Sequence, residues 1–205
     1  LYRFEDQGGR EVALRPEMTP TFARMVGARA AGIPKPIRWF STPQLFRYER
    51  PQKGRLREHF QLNMDIVGEA DEAADAEIVA AAIDVLRAFG LTAEDVVVRI
   101  SDRRVIAARL LELGAAESQI PAILSAIDRI DKQPEAETLK SLREAGLAED
   151  AARGVLDLTT ADPQLDAFTS GAVATGAETE KAAAGLRRVI ERLGAIGLGD
   201  FVQFD

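Results

Sequence analysis

The chain has 205 residues, 46% of them hydrophobic and 29% charged, with a net charge of −7, a single histidine and no cysteine. This composition excludes a disulfide framework, thiolate chemistry, a multi-histidine metal site and a conventional serine triad. No apolar run approaches the roughly 18 residues that a membrane helix needs, so a cytoplasmic protein without a metal site is expected. The chain opens at Leu1 with neither an initiator Met nor a signal-peptide pattern. It closes on Phe201-Val202-Gln203-Phe204-Asp205, which reads as a strand cut short. Both ends are expected to be internal to a longer protein. Charge is distributed unevenly: residues 1–68 carry 12 Lys and Arg against 7 Asp and Glu, and the remainder carry 14 against 26. A polyanionic partner would prefer the first third of the chain.

Taken in order, Leu1–Phe4 and Arg10–Leu14 flank the turn-rich Asp6-Gln7-Gly8-Gly9 and predict a hairpin. Thr19-Pro20 supplies an N-cap and a first-turn proline for a helix running to about Ala31. Ile37–Thr42 and Leu45–Glu49 read as strand, with Pro43 marking a bend or bulge. A polar loop follows over Arg50–Arg55, and Leu56–Val67 is the strongest strand signal. Ile78, Ala82, Val85, Leu86 and Phe89 recur at helical spacing within Asp71–Phe89. Asp95–Ser101 is a β-branched run predicted to form a buried strand. From Arg103 to about Gly176, short helical patterns are interrupted by Gly114, Pro121, Pro134, Gly146 and Gly154, as in a helical insertion. Glu178–Leu193 is amphipathic, and Phe201–Phe204 returns to strand. The fold class is therefore α+β, with an antiparallel sheet, flanking helices and a helical insertion. The expected division is a core over residues 1–101, the insertion over 102–176, and a return to the core over 177–205.

Strand alternation separates Leu56, Glu58, Phe60, Leu62, Met64 and Ile66 from Arg57, His59, Gln61, Asn63 and Asp65. The preceding strand places Phe46 and Tyr48 on one side and Arg47 and Glu49 on the other. If the two strands are antiparallel neighbours, a floor forms that bears Arg47, Glu49, Arg57, His59, Gln61, Asn63 and Asp65. A half-solvated sheet is the commonest cause of such alternation. Two arginines mixed with amides and carboxylates, beside a loop that clusters Arg50, Lys53 and Arg55, point instead to an anion-plus-polar-ligand pocket. Glu17 and Thr19, at a helix N-terminus after Leu14-Arg15-Pro16, supply a wall.

The run Phe46-Arg47-Tyr48-Glu49-Arg50-Pro51-Gln52-Lys53-Gly54-Arg55 resembles motif 2 of class II aminoacyl-tRNA synthetases, in the form found in the histidyl-tRNA synthetase family. Leu14-Arg15-Pro16-Glu17-Met18-Thr19 is similar to the segment preceding it there, and Gln61–Gly68 to the strand that binds histidine. Ile127–Lys132 looks like the start of that family's helical insertion. The resemblance implies a two-step reaction: histidine is activated by ATP, accompanied by Mg²⁺, and is then transferred to its tRNA by a homodimer. It assigns Arg47 to the α-phosphate as the catalytic residue, Glu49 to the adenine side and Arg55 to the outer phosphates. His59 falls where the family usually stacks a phenylalanine on adenine. Glu17 and Thr19 are assigned to the histidine α-amino group, and Gln61 and Asp65 to the amino-acid ligand. The first motif, the Arg-Gly-Leu-Asp-Tyr-Tyr block, the glycine-rich third motif and the anticodon domain find no counterpart in these residues. Three other readings stand beside this one: a non-catalytic relative regulating ATP phosphoribosyltransferase in histidine biosynthesis, a class II synthetase for another amino acid, and a plain structural α+β domain. Arg47, Glu49, Lys53 and Arg55 together favour the synthetase over the regulatory relative. Gln61 with Asp65 favours histidine.

Overall fold

The computed structural model describes residues 1–50, 52–130, 133–160 and 176–204. Pro51 of the cationic loop, Asp131 and Lys132, residues 161–175 of the expected insertion, and Asp205 lie outside them. Internal contacts divide the chain into two compact units, residues 1–74 and 75–205. No helix among the described residues is long and apolar enough to cross a membrane.

The first unit opens with the predicted hairpin, β1 (Arg3–Glu5) antiparallel to β2 (Glu11–Ala13). The Asp6 carboxylate closes its turn by accepting from the Gly8 and Arg10 backbone N–H groups at 2.9 and 3.0 Å. Helix α1 (Thr19–Arg29) follows, with Met18 and not Thr19 at the cap position and no side-chain cap bond. Thr19 is instead the first helical residue, ahead of Pro20, a one-residue shift at a boundary where such shifts are common.

Strands β3 (Ile37–Ser41), β4 (Gln44–Phe46), β5 (Glu58–Phe60) and β6 (Asn63–Val67) form one long bent hairpin. β3 pairs antiparallel with β6, and β4 with β5. Ser41 lies opposite Asn63 and Gln44 opposite Phe60, so no residue is inserted on either side. Pro43, which lacks an N–H to give the ladder, therefore marks a bend without a bulge. Its carbonyl still accepts from the Gln61 N–H at 3.3 Å.

The polar side of this hairpin is covered at least as well as its apolar side, where Met64 and Ile66 are half-buried too. His59, Gln61, Asn63 and Asp65 are half-buried, whereas Phe40 is 77% exposed, Phe60 73% and Leu56 70%. Two members of the polar row are covered by large apolar cross-strand partners, Leu45 facing His59 and Trp39 facing Asp65. Phe22 of α1 adds an edge-on contact to Trp39 at 5.8 Å and 73°.

In the second unit, α2 (Glu72–Ala88) and α7 (Ala177–Ala195) pack beside a parallel pair, β7 (Val98–Ile100) and β8 (Val202–Phe204). Ala76, Ile83, Val189, Leu193, Leu198 and Phe201 form the core there. The strand expected over Asp95–Ser101 is cut to three residues, of which Val98 and Ile100 are half-buried and Arg99 exposed. Asp95 accounts for the loss: its carboxylate accepts from the Thr92 N–H and hydroxyl, both at 2.8 Å, and so folds residues 92–95 into a turn. The expected return to strand after α7 is present as β8.

Helices α3 (Arg103–Glu112), α4 (Ile120–Ile127), α5 (Glu135–Glu144) and α6 (Glu149–Thr160) occupy the predicted helical stretch. Leu110, Ile123, Ala126, Leu142, Ala152 and Val155 share a separate core. α3 belongs to both environments, because its Val105 packs with Ala183 and Leu186 of α7 and with Phe204. A polar latch reinforces that junction. Arg109, almost wholly buried, pairs with Glu112 at 3.3 Å, and Glu112 accepts from the Thr179 N–H at 3.4 Å. The N-terminus of α7 thus receives its anion from a helix distant in sequence, Gly176 offering no side-chain cap. A Cβ on Gly176 would collide with that carboxylate and push it aside, so glycine permits the close approach. Burial pushes the Glu112 carboxyl up, but hydrogen bonds from Gly176, Thr179 and Arg109 outweigh it and hold the group below its ordinary range.

Candidate active site

The residues before α1 run beside β4 and tie three times to it and to Arg47, the residue after it. The Phe46 N–H donates to the Arg15 carbonyl at 2.8 Å, the Arg15 guanidinium to the Gln44 carbonyl at 3.4 Å, and Arg47 Nε–H to the Pro16 carbonyl at 3.2 Å. Arg47 is thereby held half-buried, its guanidinium tied to the 15–17 segment. A hollow of about 420 Å³ opens there, lined by Leu1, Pro16, Glu17, Arg47, Tyr48 and Glu49. One cation between two carboxylates suits a ligand carrying both an anionic and an amino or amide group.

Strand β4 ends at Phe46, earlier than the predicted Glu49. The Glu49 N–H donates back to the Arg47 carbonyl at 2.9 Å, a three-residue turn. That turn breaks the alternation and brings Tyr48, predicted on the opposite face, to the same hollow as Arg47 and Glu49. Arg55 then forms an ion pair with Glu49. The loop between them closes on a turn in which the Arg55 N–H donates to the Gln52 carbonyl at 2.9 Å. Gly54, at φ 76°, occupies the third position, where a type II turn demands a left-handed residue.

Asp65 lines a second, smaller hollow of about 230 Å³ with Met18, Phe22, Met25, Trp39, Phe40 and Ser41. A lone carboxylate among aromatic and thioether side chains is a setting for a flat, apolar ligand that carries an N–H donor. Glu17, Arg47 and Glu49 are therefore brought together, with Arg55 joined to them through Glu49, while Asp65 stands at a separate hollow. Met18 at this second hollow is the chain neighbour of Glu17 at the first. Thr19 is exposed at the start of α1. His59 lies on the covered side opposite Leu45. Gln61, on that side too, fixes the bend through its backbone, its N–H reaching Pro43 and its carbonyl accepting from Asn63 at 3.1 Å. Sequence reasoning missed Tyr48, Trp39 and Met18 as lining residues. Trp39 was within reach, because its parity within β3 matches that of Asp65 within β6.

A family model described as histidyl-tRNA synthetase matches residues 1–205. The chain belongs to the histidyl-tRNA synthetase family. It is similar over its whole length to the histidine–tRNA ligase of Opitutus terrae, at 41% identity, the match covering 47% of that protein. A crystal structure of histidyl-tRNA synthetase from Nostoc sp. PCC 7120 superposes on all of this chain and 47% of its own, with TM-score 0.83 and 22% identity. That of an ATP phosphoribosyltransferase regulatory subunit/histidyl-tRNA synthetase from Bacillus halodurans C covers all of this chain and 52% of its own, at 0.79 and 20%. These two likenesses establish the α+β fold of the histidyl-tRNA synthetase type. The chain spans about half the length of the curated relatives it matches.

Proposed function

We propose that this chain carries the ATP-gripping and histidine-reading part of the catalytic domain of a histidine–tRNA ligase. The observation that carries the reading is the hollow shared by Glu17, Arg47 and Glu49, three positions that the family resemblance assigns to one site. The reaction has two steps. The histidine carboxylate attacks the ATP α-phosphate and pyrophosphate leaves; the terminal ribose hydroxyl of tRNA then attacks the histidyl carbonyl and AMP leaves. Neither step needs a protein nucleophile, which agrees with a chain of one histidine and no cysteine. Catalysis is then positioning and charge stabilisation. Arg47 offsets charge building on the α-phosphate, while Glu49 meets adenine and His59 supplies a flat ring beside it. Arg55 leaves Glu49 to reach the outer phosphates, and Mg²⁺ arrives with the nucleotide. Among the described residues no group of three or more His, Asp or Glu side chains is arranged to hold a metal ion.

Glu17 and Thr19 meet the α-amino group of histidine, with Gln61 nearby. Asp65 accepts from the imidazole, whose flat ring suits the neighbouring Trp39 and Phe22. The basic first third of the chain, with Arg50, Lys53 and Arg55 on one loop, faces the tRNA acceptor end. Residues 102–176 form an insertion between parts of the catalytic core, and the intact enzyme works as a cytoplasmic homodimer. The regulatory-subunit reading explains none of Arg47, Glu49, Lys53 and Arg55, so the ligase is preferred. The test is histidine-dependent ATP–pyrophosphate exchange, with this segment placed in a ligase of the relatives' full length. Arg47→Ala should abolish exchange; wild-type exchange by that variant would refute the assignment.

A further inference from the structure

We infer that Arg57, to which the family resemblance gives no role, is a positioning residue for the nucleotide site; the inference rests on the reading of Arg47 and Glu49 as ATP residues. Arg57 touches all three consecutive residues of the turn that carries them. Its backbone carbonyl accepts from the Arg47 N–H at 2.8 Å. Its Nε–H donates to the Glu49 carbonyl at 3.0 Å. Its guanidinium lies 5.0 Å above the Tyr48 ring, and Tyr48 in turn meets Tyr2 edge-on at 5.0 Å and 83°. The turn at 47–49 also carries its own internal bond, the Arg47–Pro16 contact and the Arg55–Glu49 ion pair.

The bland alternative is a surface arginine satisfying a stray carbonyl. Two features oppose it. The contacts fall on residues 47, 48 and 49 in succession, and the outer two are the ones assigned to the α-phosphate and the adenine of ATP. The Glu49 carboxylate, moreover, is engaged by Arg55, a residue that must swing away for the outer phosphates to be gripped. When Arg55 leaves, Glu49 keeps its place through its carbonyl, and Arg57 holds that carbonyl. Arg57 therefore fixes the spacing between the phosphate-binding guanidinium and the adenine-side carboxylate. A planar fork can donate in its plane and stack on a ring with its face at once, which an ammonium group cannot.

The test uses the chain itself, titrated separately with Mg·ATP and with histidine and followed by amide NMR. Wild type, Arg57→Ala, Arg57→Lys and Arg47→Ala are compared, with a thermal midpoint for each. Arg57→Ala is expected to raise the Kd for ATP about tenfold, the scale of one charge-assisted hydrogen bond plus an exposed cation–π contact. Arg57→Lys should recover only part of that loss, and both variants should leave the histidine Kd and the thermal midpoint unchanged. An ATP Kd within twofold of wild type for Arg57→Ala overturns the proposal. So does full rescue by lysine, or a parallel loss of ATP binding, histidine binding and thermal stability, which is the mark of a merely structural role. Unchanged ATP affinity in Arg47→Ala, or no saturable ATP binding by wild type, overturns instead the site reading on which the proposal stands.

Discussion

Removing the Glu112 carboxylate offers a sharp check on how the helical stretch is fastened to α7. Glu112→Ala deletes the ion pair to buried Arg109, the bond from Thr179 and the anion at the α7 N-terminus. Breaking a buried pair by removing one partner costs about 3–5 kcal/mol, and a carboxylate at a helix N-terminus contributes about 0.3–1 kcal/mol. These contributions overlap, both distances are long, and the Glu112 side chain is 20% exposed, so water replaces part of what is lost. A destabilisation of about 2–3 kcal/mol is expected, read in urea as a midpoint lower by about 1–2 M. The sign of the pH dependence follows from the lowered carboxyl. A group held below its unfolded value stabilises fully above that value, about 4.3 for Glu, and its contribution is lost as pH falls through the folded one. Glu112→Gln cannot titrate, so the gap between wild type and Gln should be full at pH 7 and shrink below about pH 4. Urea unfolding followed by helical circular dichroism at both pH values decides the matter. A gap under about 0.5 kcal/mol at pH 7, within the usual surface range, or one that does not change with pH, would refute the latch.

Gly176→Ala should weaken the same latch by about 1 kcal/mol, since its Cβ must displace the Glu112 carboxylate; urea midpoints check this. In a full-length ligase carrying this segment, Asp65→Ala should cost about 2–4 kcal/mol in kcat/KM for histidine, through a lost charge-assisted bond and its desolvation. ATP binding in that variant should change far less, and wild-type exchange kinetics would mean the imidazole is read elsewhere. These 205 residues alone are expected to show only background histidine-dependent pyrophosphate exchange, because they hold no counterpart of the Arg-Gly-Leu-Asp-Tyr-Tyr block or of the third motif; robust exchange would show those parts to be dispensable.

The hairpin was legible because strand parity and register are set by local pattern: the row from His59 to Asp65 alternates in the structure as in the sequence. The resemblance carried by residues 46–55 likewise led directly to the hollow around Arg47. Three features escaped for physical reasons. The turn at 47–49 depends on the carbonyls of residues 16 and 57, which accept from Arg47 and which no run of side chains announces, and this places Tyr48 on the face opposite to the one its parity predicts. The cover over the polar row depends on Leu45 and Trp39 opposite His59 and Asp65, a cross-strand property. The Glu112 latch joins residues far apart in sequence, and a glutamate near a helix end reads alone as an ordinary surface charge. Asp95 shows the converse: β-branched propensity favoured a longer strand, and one short-range capping contact overrode it.

The most direct test of the central claim is to map Mg·ATP and histidine onto the chain by amide NMR at millimolar ligand, where weak binding still registers. The account predicts that ATP shifts the amides of Arg47, Glu49, Arg55 and His59, and that histidine shifts those of Glu17, Thr19, Gln61 and Asp65. Shifts confined to residues 75–205, or none at either site at saturating ligand, would contradict it.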